Sequence, residues 1–148
     1  MLLRSTNLMS HRARHAPAFA PGDLQRGHQH MHISKLRLSS DASGRLRALA
    51  QRATLTPNLL CRMALAMSLE EGPLTASEHM DETGLEFNAY TLFGPYQPIF
   101  LSLLRFVEQD AVREPQALLD RLRGHIERGI RQLAVRVKTP AAELLAGA

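Results

Sequence analysis

Over residues 32–38, Ser34, Leu36 and Leu38 alternate with Ile33, Lys35 and Arg37, the two-residue period of a short strand with one buried and one basic side. Ser39, Ser40 and Asp41 follow with N-cap chemistry. Ala42, Leu46, Leu49, Ala50 and Ala53 then recur at helical spacing, which predicts a first helix of about three turns decorated by Arg45, Arg47 and Arg52. A second start signal comes at Thr56-Pro57: the threonine can cap, and proline suits the first helical position because its missing N–H would have been unpaired there. This helix runs to Gly72-Pro73 and is apolar nearly all round, with Leu59, Leu60, Met63, Ala64, Leu65, Ala66, Met67 and Leu69 relieved only by Asn58, Cys61, Arg62 and Ser68. Burial on several sides follows, and self-association is the simplest way to reach it.

Residues 73–84 read as a linker. Glu78, Asp81 and Glu82, with Glu70, Glu71 and Glu86, form an acidic block without Lys or Arg, expected to face solvent. Leu85 to Phe93 alternates as a strand does and stops at Gly94-Pro95. Pro98 opens a third helix through Ile99, Phe100, Leu103, Leu104, Phe106 and Val107, and Pro115 opens a fourth that ends before Thr139-Pro140. In the fourth, Leu119, Leu122, Ile126, Ile130, Leu133 and Val137 share one face, Arg121, Arg128 and Arg131 lie opposite, and Gly124 and Gly129 weaken the pattern. The predicted fold is mainly α with short β-strands, its strand-helix-helix half followed by a second strand and two further helices.

Residues 1–31 carry Pro, Gly, His and Arg without apolar period and are expected to be a disordered tail, or an upstream start before Met31. Residues 32–138 form the expected domain, and 139–148 a C-terminal tail. A chain of 148 residues holds one domain of this kind, not a multidomain enzyme. Its formal charge of +4 permits an anionic partner, but without residues 1–30 fourteen bases face thirteen acids. One cysteine, Cys61, allows neither an internal disulfide nor a thiolate metal cluster, so a reducing, cytoplasmic setting is the default. No stretch has the length of a membrane span or a signal peptide.

Distribution of charge says more than its total. From Lys35 to Arg62 there are six bases (Lys35, Arg37, Arg45, Arg47, Arg52, Arg62) and one acid, Asp41. Such a cluster is either a solvated face or a phosphate-binding one. The order strand, capped helix, capped helix resembles the ribbon-helix-helix arrangement, in which strands enter a groove while helix N-termini hold phosphates. On that reading Lys35 and Arg37 lie on an exposed ribbon, and Arg52, Thr54, Thr56 and Asn58 surround a phosphate clamp at the turn between helices. Ordinary capping is part of the role of Thr56 in any case. No catalytic or metal constellation stands out: His79 and His125 lack spaced partners, Cys61 sits in an apolar helix, and there is no glycine-rich phosphate loop. Neither a cofactor nor a catalytic residue is expected.

Two segments together resemble the DndE family, the small subunit of bacterial DNA phosphorothioation (DNA sulfur modification) systems: LTPNLLCRMALAMSL at residues 55–69 and GLEFNAYTLFG at residues 84–94. The second separates the family from two-helix repressors. The resemblance spans residues 33–137 and implies a non-catalytic, homotetrameric subunit that binds double-stranded DNA, with a preference for nicked duplex, beside partner subunits that carry the sulfur chemistry. The family's basic turn falls here on Gln51, Arg52, Ala53 and Thr54, where Arg52 is the sole charge. Two other readings compete with it. One is a ribbon-helix-helix regulator recognising an operator through Lys35, Arg37 and Ser39; the other is an assembly subunit without DNA contact.

Overall fold

Each helix start foreseen from the caps is realised. In the computed structural model, which describes residues 33–75 and 80–137, β1 (Lys35–Arg37) leads into α1 (Ser40–Ala53) through Ser39. The Ser39 hydroxyl accepts from Ala42 N–H at 3.2 Å, the N-cap bond that satisfies one free amide of the first turn. Thr54 then takes a left-handed conformation, φ 55°, and closes α1 within a three-residue turn. Thr56 caps α2 (Pro57–Glu70) by accepting from Leu59 N–H, with Pro57 at the first helical position.

The second strand is shorter than its alternation suggested. β2 covers Glu86–Asn88, and Ala89–Phe93 is a short helix, α3. The physical reason lies in Asn88, whose side-chain oxygen accepts from Tyr90 N–H and offers the backbone a helix start in place of further ladder. β1 and β2 are antiparallel, with Lys35 opposite Asn88, Leu36 opposite Phe87 and Arg37 opposite Glu86. Among the described residues the partner of β1 is therefore a strand of the same chain. A 3-10 turn at Gly94–Tyr96 joins α3 to α4 (Gln97–Glu108), and a second one at Gln109–Val112 precedes α5 (Pro115–Arg136).

The core is centred on the crossing of α2 with α5, flanked by α1 and the ribbon. Leu60, Ala64 and Leu65 of α2 meet a face of α5 built from Leu118, Leu122, Ile126, Ile130 and Leu133. Leu118 takes the fully buried place assigned from the pattern to Leu119, which is half-buried. Gly129 explains itself here: a Cβ at that position would lie 1.9 Å from the Ala64 carbonyl oxygen, so only glycine lets the two backbones touch. Gly84 has a parallel role, since a side chain there would strike the Ser39 carbonyl and the Ser43 hydroxyl.

α2 buries Leu60, Cys61, Ala64, Leu65, Ser68 and Leu69 but leaves Leu59 and Met63 exposed. α4 is similar. Leu101 and Leu104 point inward while Ile99, Leu103 and Phe106 stay outside, the last 79% exposed. The sequence tails at residues 1–31 and 139–148 lie outside the described residues.

Candidate nucleic-acid interface

At the turn between α1 and α2 the structure brings four of the sequence-selected residues together. Arg52 stands in the last turn of α1, exposed, and among the described residues it meets no acid. Thr54 is exposed and bonds only its neighbour's carbonyl, that of Ala53. Thr56 is the cap, and Asn58 in the first turn of α2 reaches the Thr91 carbonyl at 3.4 Å. The backbone N–H of Asn58 finds no acceptor among the described residues, so one donor is left over at the positive end of a fourteen-residue helix, six positions along the chain from Arg52.

The remaining bases are not part of that turn. α1 rises about 1.5 Å per residue, so its first turn lies about 18 Å along the axis from Arg52, and β1 leads into that first turn. At that far end Lys35 Nζ lies 2.9 Å from Glu86 Oε1 and Arg37 Nη2 lies 2.6 Å from Glu86 Oε2. Their hydrogen bonds, Arg37's first, hold the Glu86 carboxyl down at about 2. Arg45 pairs with Asp41 one turn back at 2.8 Å, and this bond lowers the Asp41 carboxyl. Arg45 and Arg52 share a face of α1, seven residues apart, whereas Arg47 points away from both and is exposed without an acid among the described residues.

Two residues are taken up by the fold itself. Ser39, a proposed base-reading contact, is 5% exposed: its N–H and hydroxyl donate to the Glu127 carboxylate at 2.8 and 3.0 Å. Arg62 clamps α3 onto α2, donating from Nε to the Leu92 carbonyl at 2.5 Å and from Nη2 to that of Thr91 at 3.3 Å, with its guanidinium 6.0 Å from the Tyr96 ring centre. Of the six bases that make the segment so positive, Arg47 and Arg52 are thus the two without an acid or a carbonyl to serve.

The acidic block is exposed yet engaged. Asp81 accepts from Ser40 N–H at 3.1 Å and from Thr83, whose bonds lower its carboxyl, and Glu82 meets Arg123 at 3.0 Å. Glu71 accepts from Gln132 at 2.6 Å. Glu78 and His79 lie outside the described residues.

His125 has partners that its sequence neighbourhood did not announce. Ser68 Oγ is 2.8 Å from Nδ1 and Glu108 Oε1 is 2.8 Å from Nε2, all three side chains within the core. Arg128 Nε donates to Ser68 Oγ at 2.7 Å, so the serine hydroxyl donates onward to Nδ1, and the ring N–H sits on Nε2 facing the carboxylate. Glu108 also accepts from Leu74 N–H at 2.7 Å and faces Arg121 at 3.2 Å. Burial first, then the two arginines, depress the imidazole's proton affinity, although Glu108 opposes them. A serine, a histidine and a glutamate in series resemble a hydrolytic triad, but no solvent or substrate reaches them, and the chain acts as a polar seam between α2, α4 and α5. Burial also pushes the Cys61 thiol up to about 12, so it is no thiolate nucleophile. Among the described residues there is no cluster of His, Cys, Asp and Glu able to hold a metal, and no helix long and apolar enough to cross a membrane.

Comparison with known proteins gives a consistent result. The family model of DndE, DNA sulphur modification protein, matches residues 35–141. The crystal structure of DndE from Escherichia coli B7A, involved in DNA phosphorothioation modification, superposes with a TM-score of 0.59 at 24% identity over 66% of this chain and 95% of that one. That of the DndE G21/24K mutant, involved in DNA phosphorothioation, gives 0.57 at 25% identity over 69% and 97%. No curated protein matches the chain.

Proposed function

The chain belongs to the DndE family, whose members are involved in DNA phosphorothioation, and from that membership we propose that it is a non-catalytic subunit that binds double-stranded DNA, nicked duplex included, by its sugar-phosphate backbone. The observation that carries this reading is the α1–α2 turn. Arg52, exposed and without an acid of its own among the described residues, stands in the last turn of α1, and a three-residue turn separates that helix from the N-terminus of α2 with its free Asn58 N–H, a combination suited to a phosphate oxygen. Thr54, Thr56 and Asn58 supply hydroxyl, amide and backbone donors around the same point, and Arg47, which points away from Arg52, adds only to the long-range positive potential. Lys35, Arg37 and Arg45 are engaged with acids and contribute less.

Nothing around this turn activates a nucleophile or a general base. The sulfur chemistry then belongs to other subunits of a modification complex, and this chain supplies the grip on DNA. Oligomer formation is part of the proposal: Leu59 and Met63 on α2, and Ile99, Leu103 and Phe106 at helical spacing on α4, with Tyr96 in the 3-10 turn before it, are apolar faces that a tetramer would cover. A regulator that reads an operator is less well supported, because Ser39 is buried and Lys35 and Arg37 are held by one carboxylate.

Competition among intact, nicked and operator-like duplexes across a salt series tests the reading. Affinity should fall steeply with salt and hardly depend on sequence. Arg52→Ala should weaken binding to every duplex by about threefold to tenfold, while sedimentation shows the same oligomer. Strong sequence dependence would favour the regulator, and absence of binding at low salt would leave an assembly role alone.

A further inference from the structure

The ribbon carries Lys35 and Arg37 on its exposed side, and its cross-strand acid sets what that surface can do. Arg37 and Glu86 are directly opposed in the ladder, and Lys35 lies two residues along the same exposed side. Glu86 uses both oxygens, one for each base, at 2.9 and 2.6 Å. With its carboxyl held at about 2 by these same bonds, the acid is charged at any pH near neutrality.

An exposed pair of this kind is held weakly, so strength of the bridge is not what matters. A phosphate that approached Lys35 or Arg37 closely enough to replace the bridge would be left beside a carboxylate at nearly the same distance, and like charges repel at short range. Arg52 has no such neighbour among the described residues.

We propose that Glu86 is a specificity-determining residue that keeps the β1–β2 ribbon out of the DNA footprint, confining phosphate contact to the α1–α2 turn. This rests on the DNA-binding reading and adds to it a reason why a chain built in ribbon-helix-helix order does not use its ribbon.

The test is fluorescence anisotropy with a labelled duplex from about 50 to 200 mM salt, on the parent chain, Glu86→Gln, the triple variant Glu86→Gln/Lys35→Gln/Arg37→Gln, and Asp110→Asn. The last frees Arg113 from its own exposed acid at the junction of α4 and α5, and so controls for bulk charge. Glu86→Gln should bind about fivefold tighter at the lowest salt, with a log-log salt slope steeper by about one phosphate contact. The triple variant should lose that gain, and Asp110→Asn should stay within about twofold of the parent. Equal affinity of Glu86→Gln and the parent, an equal gain in Asp110→Asn, or a gain retained by the triple variant would each overturn the inference while leaving the turn as the DNA site. A parent chain that binds no duplex would remove the DNA-binding reading and this inference with it.

Discussion

The two ends of α2 are built in opposite ways. At its C-terminal end the last carbonyls find takers: Arg128 Nη2 donates to Ser68 O at 2.5 Å and, just past the helix, to Gly72 O at 2.6 Å, and Gly72 N–H returns to Leu69 O at 3.1 Å. A guanidinium thus covers the negative pole of the helix from inside the fold. At the N-terminal end Thr56 serves two amides, Leu59 N–H at its hydroxyl at 3.3 Å and Leu60 N–H at its carbonyl at 3.1 Å, and the Asn58 N–H finds no acceptor among the described residues. One pole is closed by a side chain of the same fold, and the other keeps a free donor, the one that the proposed phosphate contact would use. The difference teaches that burial, not charge, decides which polar groups are structural: Arg128 and Arg52 are the same residue type, and only the first is enclosed by carbonyls it must serve.

The largest effect should come from the buried seam behind the closed end. Glu108→Ala leaves Arg121, the Leu74 amide and the His125 ring without their carboxylate in the core, and should cost about 3–5 kcal/mol in chemical unfolding. A loss no larger than that of an exposed acid would mean that the seam does not tie α4 to α5. Acid should act next on the same seam. His125 takes up a proton less readily in the fold than in the unfolded chain, so its contribution to stability is complete above about 6.5 and is lost as pH falls below that value. The thermal midpoint should fall from pH 7 to pH 5 in the parent chain and fall less in His125→Gln; parallel curves would show that the imidazole does not carry the dependence. The open end should be the least sensitive. Thr56→Ala removes one cap bond and should cost about 1 kcal/mol, while duplex affinity changes with it if the α2 terminus holds phosphate.

Much of the fold was legible because helix starts are local events. Ser39, Thr56-Pro57 and Pro115 each act within a single turn, and each begins a helix where the residues indicated. The stretch from Leu85 to Phe93 misled because its alternation continues through a residue, Asn88, that redirects the backbone; an asparagine before Ala-Tyr-Thr-Leu was the available signal. Pairing across distance was not legible. Glu86 meets Lys35 and Arg37 across about fifty positions, Ser68 meets His125 across 57, and Arg123 reaches the Arg37 carbonyl across 86. The candidate site divides along that line: Thr56 and Arg52 could be chosen from neighbours in the chain, whereas the neutralisation of Lys35 and Arg37, and the burial of Ser39, depend on partners that only the fold brings near.

Where Gly129 meets Ala64, backbone lies on backbone with no side chain between them to bend. Such a joint has no slack. Even one methyl group at position 129 would have to part the two helices, because no rotamer can turn it out of the way.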